Sequence, residues 1–312
     1  MVHRITLPHS DLSVSSLCFG ANVFGWSIHD QPGANRLLDE IVARGVNFFD
    51  SADMYVQWVE GNSGGESERM LGSWLASSSV NRDDVVIATK VGKMTTRPGL
   101  SPENIRKAAD ESLQRLGIDT IDLYYAHRDD DTVPMEDTLG AFRELIDAGK
   151  VRAIGASNFT GARLREALDL AEREDLPRYV AVQNHYNLVA REPYESDMAP
   201  LVESEGLCGL PYFALASGFL TGKYRRGDIT DSVRLERVSN DYFSDENFDT
   251  LDRLLSVSGR LGLAPASVAL AWLRAQPGVT APIASASLID QLDDLLAEVN
   301  LSAEDLAFLS GT

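Results

Sequence analysis

Four side chains that together can move a proton stand at the ends of three neighbouring apolar runs. Asp50 and Tyr55 follow "VNFF", Lys90 lies in "VVIATKV" and His127 follows "IDLYYA". A phenol with a pKa of about 10 is a weak acid near neutrality, so protonation of a carbonyl oxygen by Tyr55 requires a nearby cation. At ~4 Å and an effective dielectric of about 20, a lysine ammonium stabilises a phenolate by up to roughly 4 kcal/mol before desolvation is subtracted. That would lower the phenol pKa by about one to three units. Asp50 would keep the ammonium charged and oriented, and a neutral His127 would donate a hydrogen bond to the carbonyl oxygen. Taken singly, each residue has a plainer role: Asp50 as a turn cap, Tyr55 as a loop anchor, Lys90 as a solvated strand end, His127 as a satisfied core histidine. Their joint placement argues for chemistry, and lysine is scarce, with five in 312 residues.

Eight apolar runs of β type alternate with segments of helical period. They cover 16–24, 46–53, 85–91, 121–127, 151–159, 180–187, 207–215 and 279–287. The helical segments carry end signals: Gly45 closes "GANRLLDEIVARG", while "SPENIRKAADESLQRLG" has Ser101 as N-cap, Pro102 in the first turn and Gly117 at its end. Eight such units in this length predict an α/β chain, a (β/α)8 TIM barrel forming one domain over residues 1–312. "RITLP" and "LSVSS" read as a short N-terminal β-hairpin closing the bottom of the barrel. The charged stretch 221–247 reads as a large loop over the opposite mouth. Barrel strands deliver their chemistry at their C-terminal ends, which adds Ser157, Asn158, Gln183, Asn184 and Tyr212 to the four residues above.

The charge balance of 47 acids against 28 bases, −19 in all, repels phosphate backbones and makes nucleic acids and anionic membranes poor partners. With neither a leader pattern nor an apolar run near the roughly 20 residues of a bilayer span, the expectation is a soluble cytoplasmic protein. Cys18 and Cys208 sit in apolar segments and read as small buried hydrophobes. No HExxH and no close His, Cys or carboxylate cluster points to a metal.

Seven segments in order, "NFFDSADMY", "ESERMLG", "IATKVG", "DLYYAH", "GKVRAIGASNF", "ALASGFLTGKY" and "ALAWLRAQPGVTAPIASAS", make the chain resemble the aldo-keto reductase superfamily from about residue 5 to 300. The resemblance implies a (β/α)8 barrel that reduces aldehydes or ketones with NAD(P)H, and it places the catalytic tetrad on Asp50, Tyr55, Lys90 and His127. Hydride would pass from nicotinamide C4 to the carbonyl carbon while Tyr55 protonates the oxygen. Ser157, Asn158 and Gln183 would hold the carboxamide and Tyr212 would stack on the ring. Backbone around Leu215, Gly218, Leu220 and Gly222, with Lys223, would hold the pyrophosphate. Plain turn residues are the alternative reading of those glycines.

Three departures from the family pattern stand out. Phe213 and Ala214 replace the usual Ser and Pro after the stacking tyrosine, which removes one side-chain contact to the cofactor. At the adenosine end, Ser285, Ser287 and Gln291 stand where Lys or Arg frequently bind a 2′-phosphate, and Asp294 and Leu295 replace a Glu-Asn pair. NADP is then the expectation from family frequency, with NAD as the alternative, and Arg225 or Arg226 as a source of the missing charge. Third, "VQWVEGNSGG" (56–65) follows Tyr55. Its Trp58, with Trp26, would wall a substrate pocket whose rim Asp53, Glu60 and Glu66 make acidic, suited to a sugar-like or polyhydroxylated carbonyl compound. Two rivals are weighed. Ser63 in "GNSGG" matches a hydrolase nucleophile elbow but lacks the preceding strand that motif needs. The β-subunits of potassium channels also resemble this family, so a cofactor-binding regulatory or redox-sensing subunit is the alternative function.

Overall fold

The computed structural model describes residues 3–227 and 235–312. β1 (Arg4–Thr6) and β2 (Ser13–Ser15) pair antiparallel, Ile5 opposite Val14. The barrel strands follow as β3 (Cys18–Gly20), β4 (Phe48–Asp50) and β5 (Val86–Val91). A two-residue-per-arm hairpin, β6 (Lys93–Met94) and β7 (Arg97–Pro98), rises from the end of β5. The barrel resumes with β8 (Ile121–Ala126), β9 (Val151–Ser157), β10 (Tyr179–Gln183), β11 (Cys208–Gly209) and β12 (Ile283–Ala284). From β3 to β11 each barrel strand pairs in parallel with the next barrel strand in the chain, and β12 pairs with β3. Between β11 and β12 the ring is joined by backbone bonds from Thr280 N to Gly209 O (2.8 Å) and Ile283 N to Pro211 O (2.9 Å). The expected (β/α)8 fold is therefore present, with its N-terminal hairpin.

Helices α1 (Gln31–Ala43), α2 (Glu66–Ser77), α3 (Pro102–Leu116), α4 (Met135–Asp147), α5 (Gly161–Arg173) and α6 (Ala199–Ser204) link successive strands. After β11 come α7 (Leu235–Tyr242), α8 (Asp245–Leu261) and α9 (Pro265–Arg274), and after β12 come α10 (Gln291–Leu296) and α11 (Ala303–Ser310). The end signals behave as their chemistry dictates: Ser101 Oγ accepts from Asn104 N, and Gly117 takes the left-handed φ of 63° that a residue with a Cβ resists. One expectation needs correction. The stretch 221–247 is not a plain loop, because it contains α7 and the start of α8; residues 228–234 lie outside the described residues.

Two apolar cores follow from the period of two along each strand. Outward-facing residues such as Phe49, Ile87 and Tyr124 pack under the helices. Inward-facing Cys18, Phe48, Leu123, Tyr125 and Cys208 fill the barrel, together with Leu7, Leu12 and Val14 from the β1–β2 hairpin, which closes its lower end. The filled interior leaves the C-terminal mouth as the place for a site.

Candidate active site

Lys90 projects from β5 into the mouth and is fully buried. Its ammonium has three N–H donors and three oxygens around it: Asp50 Oδ2 at 2.6 Å, the Ser51 carbonyl at 2.6 Å and Tyr55 Oη at 2.8 Å. Asp50 ends β4, and the turn after it swings Tyr55 back over the lysine, with Nζ 4.6 Å from the ring centroid. The Tyr55 hydroxyl donates to Asp50 Oδ2 at 3.1 Å, and Gln183 Nε2 donates to Asp50 Oδ1 at 2.9 Å. His127, just past β8, sets its ring edge-on to Tyr55 with centroids 6.1 Å apart. All four sequence-predicted proton-transfer residues thus meet within one small volume.

The electrostatics of this cluster differ in one respect from expectation. Burial, then the adjacent Asp50 carboxylate, holds the Tyr55 phenol well above its ordinary value. The expected lowering by Lys90 does not govern the resting site, where burial and the hydrogen bond to the Asp50 carboxylate favour the protonated phenol. Burial draws the Lys90 ammonium below its ordinary value, against the pull of Asp50. For His127, burial and then the charges of Lys90 and Lys93 hold the imidazole well below its ordinary value, so it is neutral.

A second polar chain runs along the rim. Ser157 Oγ donates to Gln183 O (2.8 Å), Asn158 Nδ2 donates to His127 O and Ser157 Oγ (2.9 Å each), and Tyr212 Oη donates to Asn158 Oδ1 (2.7 Å). Asn158 sits at φ 57°, a left-handed conformation that asparagine tolerates. Beyond Tyr212 the backbone is strained: Phe213, Ala216 and Ser217 have φ of 54°, 49° and 55°, at about 1–3 kcal/mol each. In this loop the amides of Gly218 and Leu220 both donate to Leu215 O, at 2.8 and 3.3 Å, and Gly222 turns at φ 78°. Lys223 Nζ lies over the Tyr224 ring, 5.0 Å from its centroid.

The remaining expected positions divide. Trp26 and Trp58 meet edge-on at 6.3 Å, and Trp58 also meets Tyr55 at 6.4 Å, so an aromatic wall stands beside the phenol. The acidic rim is overturned in two of its three members. Asp53 is 1% exposed, behind the mouth among Glu68, Arg115 and Arg97, and Glu66 turns its carboxylate onto the amides of Ser63 (3.0 Å) and Gly64 (2.9 Å). At the adenosine end, Ser285 Oγ lies 2.7 Å from Gly20 O and 2.8 Å from Asn22 Oδ1. Gln291 Oε1 accepts from the amides of Ser287 (2.9 Å) and Leu288 (3.2 Å). Arg226 pairs with Asp245 and Asp249, and Arg225 with the carbonyls of Gly222 and Tyr224, so neither guanidinium is aimed at this end.

Sequence reasoning missed several supports. Ser51 holds Lys90 through its carbonyl, while its hydroxyl meets Ser67 Oγ at 3.0 Å. Fully buried Glu68 accepts from Thr89 Oγ1 and Arg115 Nε, at 2.6 Å each, pinning α2 and α3 behind the strand that carries Lys90. Glu68 was visible in "ESERMLG", but only the position of Thr89, one residue before Lys90 and so facing the other side of the strand, reveals the connection.

A barrel with a buried Asp-Lys-Tyr cluster and a neutral histidine at its mouth defines a class, and comparison with known proteins agrees. The sequence model of the Aldo/keto reductase family matches residues 16–310. This chain belongs to that family and is an oxidoreductase by that membership. Among its relatives, Protein tas of Escherichia coli (strain K12) is 34% identical, over 97% of this chain and 94% of its own length. The protein named Uncharacterized oxidoreductase YrpG, from Bacillus subtilis (strain 168), is 34% identical, over 96% of this chain and 91% of its own length. A Probable voltage-gated potassium channel subunit beta of Oryza sativa subsp. japonica is 33% identical, over 92% and 88%. Among the described residues, no single helix is long and apolar enough to cross a membrane.

Proposed function

We propose that this chain, as one barrel domain, reduces an aldehyde or ketone to an alcohol, with Tyr55 donating the proton to the carbonyl oxygen. The observation that carries the reading is the contact of Tyr55 Oη with Lys90 Nζ at 2.8 Å, with Asp50 bonded to both. When bound, a nicotinamide cofactor supplies the hydride. The rim suits its carboxamide by donor count. Asn158 Nδ2 spends both its hydrogens internally, yet Asn158 Oδ1 and Ser157 Oγ each keep an acceptor position for an amide N–H. Gln183 Nε2, with one hydrogen on Asp50, keeps a second for an amide oxygen. Neutral His127 is suited to orient the substrate oxygen without competing as an acid.

The proposed cofactor is NADPH, on family frequency. Asp290 and Asp294 beside the capped Gln291 favour NADH as its competitor, because a 2′-phosphate is repelled by like charge, whereas Asp293 is paired with Arg44. Comparing the two dissociation constants decides between them. The substrate is a small carbonyl compound held against Trp58 and Trp26; with Asp53 and Glu66 off the rim, support for a polyhydroxylated one rests on Glu60 alone. A screen of aromatic aldehydes, keto sugars and steroid ketones tests this.

A second reading is favoured by the potassium-channel β-subunit name carried by a relative at 33% identity: cofactor binding that serves regulation. Turnover separates the two. Tyr55→Phe is expected to lower carbonyl reduction by several orders of magnitude with cofactor affinity nearly unchanged. A wild-type protein that binds cofactor but turns over no carbonyl compound supports the regulatory reading instead.

A further inference from the structure

His185 extends from β10 with the same strand parity as Gln183, and its imidazole stacks on Tyr212 with centroids 5.5 Å apart and planes at 12°. Phe213 meets it edge-on at 5.5 Å and Tyr242 at 6.2 Å. His185 Nε2 lies 2.9 Å from Tyr242 Oη and 3.3 Å from Asn187 Nδ2. An amide NH2 facing Nε2 makes that nitrogen the acceptor, so the Tyr242 hydroxyl donates to it. Tyr242 is 3% exposed, ends α7, and stacks its ring on Phe219 at 6.2 Å and 20°. Phe219 belongs to the strained 213–222 loop. Tyr242 therefore touches that loop with its ring and the support of Tyr212 with its hydroxyl.

From this geometry we infer that His185 and Tyr242 are positioning residues that fix the plane of Tyr212 and couple it to the 213–222 loop, so that the pyrophosphate and nicotinamide ends of a bound dinucleotide are registered by one connection. The inference rests on the proposed cofactor reading. Tyr212 is pinned at its hydroxyl by Asn158 and backed by the rings of His185 and Phe213, and a nicotinamide stacked on it would take its plane from that backing. Hydride transfer is sensitive to ring tilt, and a tilt of the platform is a tilt of the reacting carbon. Removing the Tyr242 hydroxyl takes the shorter of the two bonds described at Nε2, leaving the Asn187 contact at 3.3 Å, and weakens the hold on the plane that backs Tyr212.

The test uses three variants of the full chain: Tyr242→Phe, which keeps the Phe219 stack and removes the hydroxyl; His185→Phe, which keeps a ring against Tyr212 and removes Nε2; and the double variant. Each is titrated with NADPH and with 2′-phospho-ADP-ribose, which lacks the nicotinamide. One lost hydrogen bond predicts about fivefold weaker NADPH binding in each single variant, by roughly 1 kcal/mol. The double variant should be no weaker than either, the ADP-ribose compound should bind within about twofold of wild type throughout, and kcat should fall with the carbonyl KM unchanged. A merely structural role would weaken both ligands together. The inference is overturned if NADPH binds all three variants like wild type, if the losses add, or if both ligands weaken equally. Failure of wild type to bind any dinucleotide overturns the proposed function itself, and this inference with it.

Discussion

Asp53→Asn should stabilise this protein, and more so as the pH rises. Asp53 is 1% exposed and neither of its carboxylate oxygens has a hydrogen-bond partner among the described residues. Burial and then the Glu68 carboxylate push its pKa up to about 7, against the opposing charges of Arg115 and Arg97. A folded value raised above the unfolded one means the native state favours the protonated acid. The associated stability is fully present below about pH 4 and is lost as pH climbs to about 7. From an unfolded pKa near 4 the shift is about 3 units, or roughly 4 kcal/mol at full ionisation, an upper bound. At pH 5 only about 1 unit of that is felt, so the advantage of the variant should grow by up to about 3 kcal/mol between pH 5 and pH 8. Denaturant unfolding of wild type and variant at both values reads this, since titrations not coupled to Asp53 cancel in the difference. A difference that stays flat with pH, or a variant less stable at pH 8, refutes the reasoning.

Other consequences are simpler. Trp58 is 51% exposed, so Trp58→Ala should leave stability within about 0.5 kcal/mol while raising the KM of carbonyl substrates severalfold, by steady-state kinetics. A Cβ on Gly72 of α2 would stand 2.5 Å from Arg115 O and 2.6 Å from Leu116 O. Gly72→Ala should therefore force α2 and α3 apart and cost about 2 kcal/mol despite alanine's better helix propensity, seen as a lower thermal midpoint. His127 has a depressed folded pKa, so its contribution to stability is present above about pH 6.5 and is lost as pH falls below it. His127→Gln should flatten the decline in thermal midpoint between pH 6.5 and 5, and an unchanged slope would show that another group is responsible.

The eight strands were legible because parallel strands buried on both faces read as unbroken apolar runs. Their lengths were not. Runs of nine residues at 207–215 and 279–287 give only Cys208–Gly209 and Ile283–Ala284, since Pro211 and Pro282 bring no N–H to the ladder. The tetrad positions were legible as polar residues at strand ends, but parity sets which way a neighbour faces only within the strand. Asp50 ends β4 and points into the mouth, but Asp53 and Tyr55 lie in the turn beyond it, where counting in twos no longer applies, so the burial of Asp53 was not readable. The role of His185 was not readable, since its partner Tyr242 lies 57 residues further on, at the end of a short, polar eight-residue helix in a charged stretch.

The raised phenol of the resting site and the weak-acid argument from the sequence describe two states of one hydrogen-bond network. At rest the Tyr55 hydroxyl keeps its proton and donates a hydrogen bond to Asp50 Oδ2, and the carboxylate stabilises the protonated phenol. In the proposed reaction the hydroxyl turns from Asp50 to the substrate oxygen, which removes one of the causes that, after burial, hold its pKa up. The Lys90 contact does not depend on that hydrogen, because the ammonium donates to the phenol oxygen. Asp50 is not stranded by the turn either: Lys90 and Gln183 still donate to its two oxygens. On that proposal Tyr55 is a stronger acid with an acceptor in place than at rest. Gln183 would then matter twice, as the proposed carboxamide contact and as the donor that keeps Asp50 satisfied. Removing it would leave the buried Asp50 Oδ1 without its partner both before and after the turn of Tyr55, so the variant should lose stability in the resting protein, seen as a lower thermal midpoint, as well as the carboxamide contact.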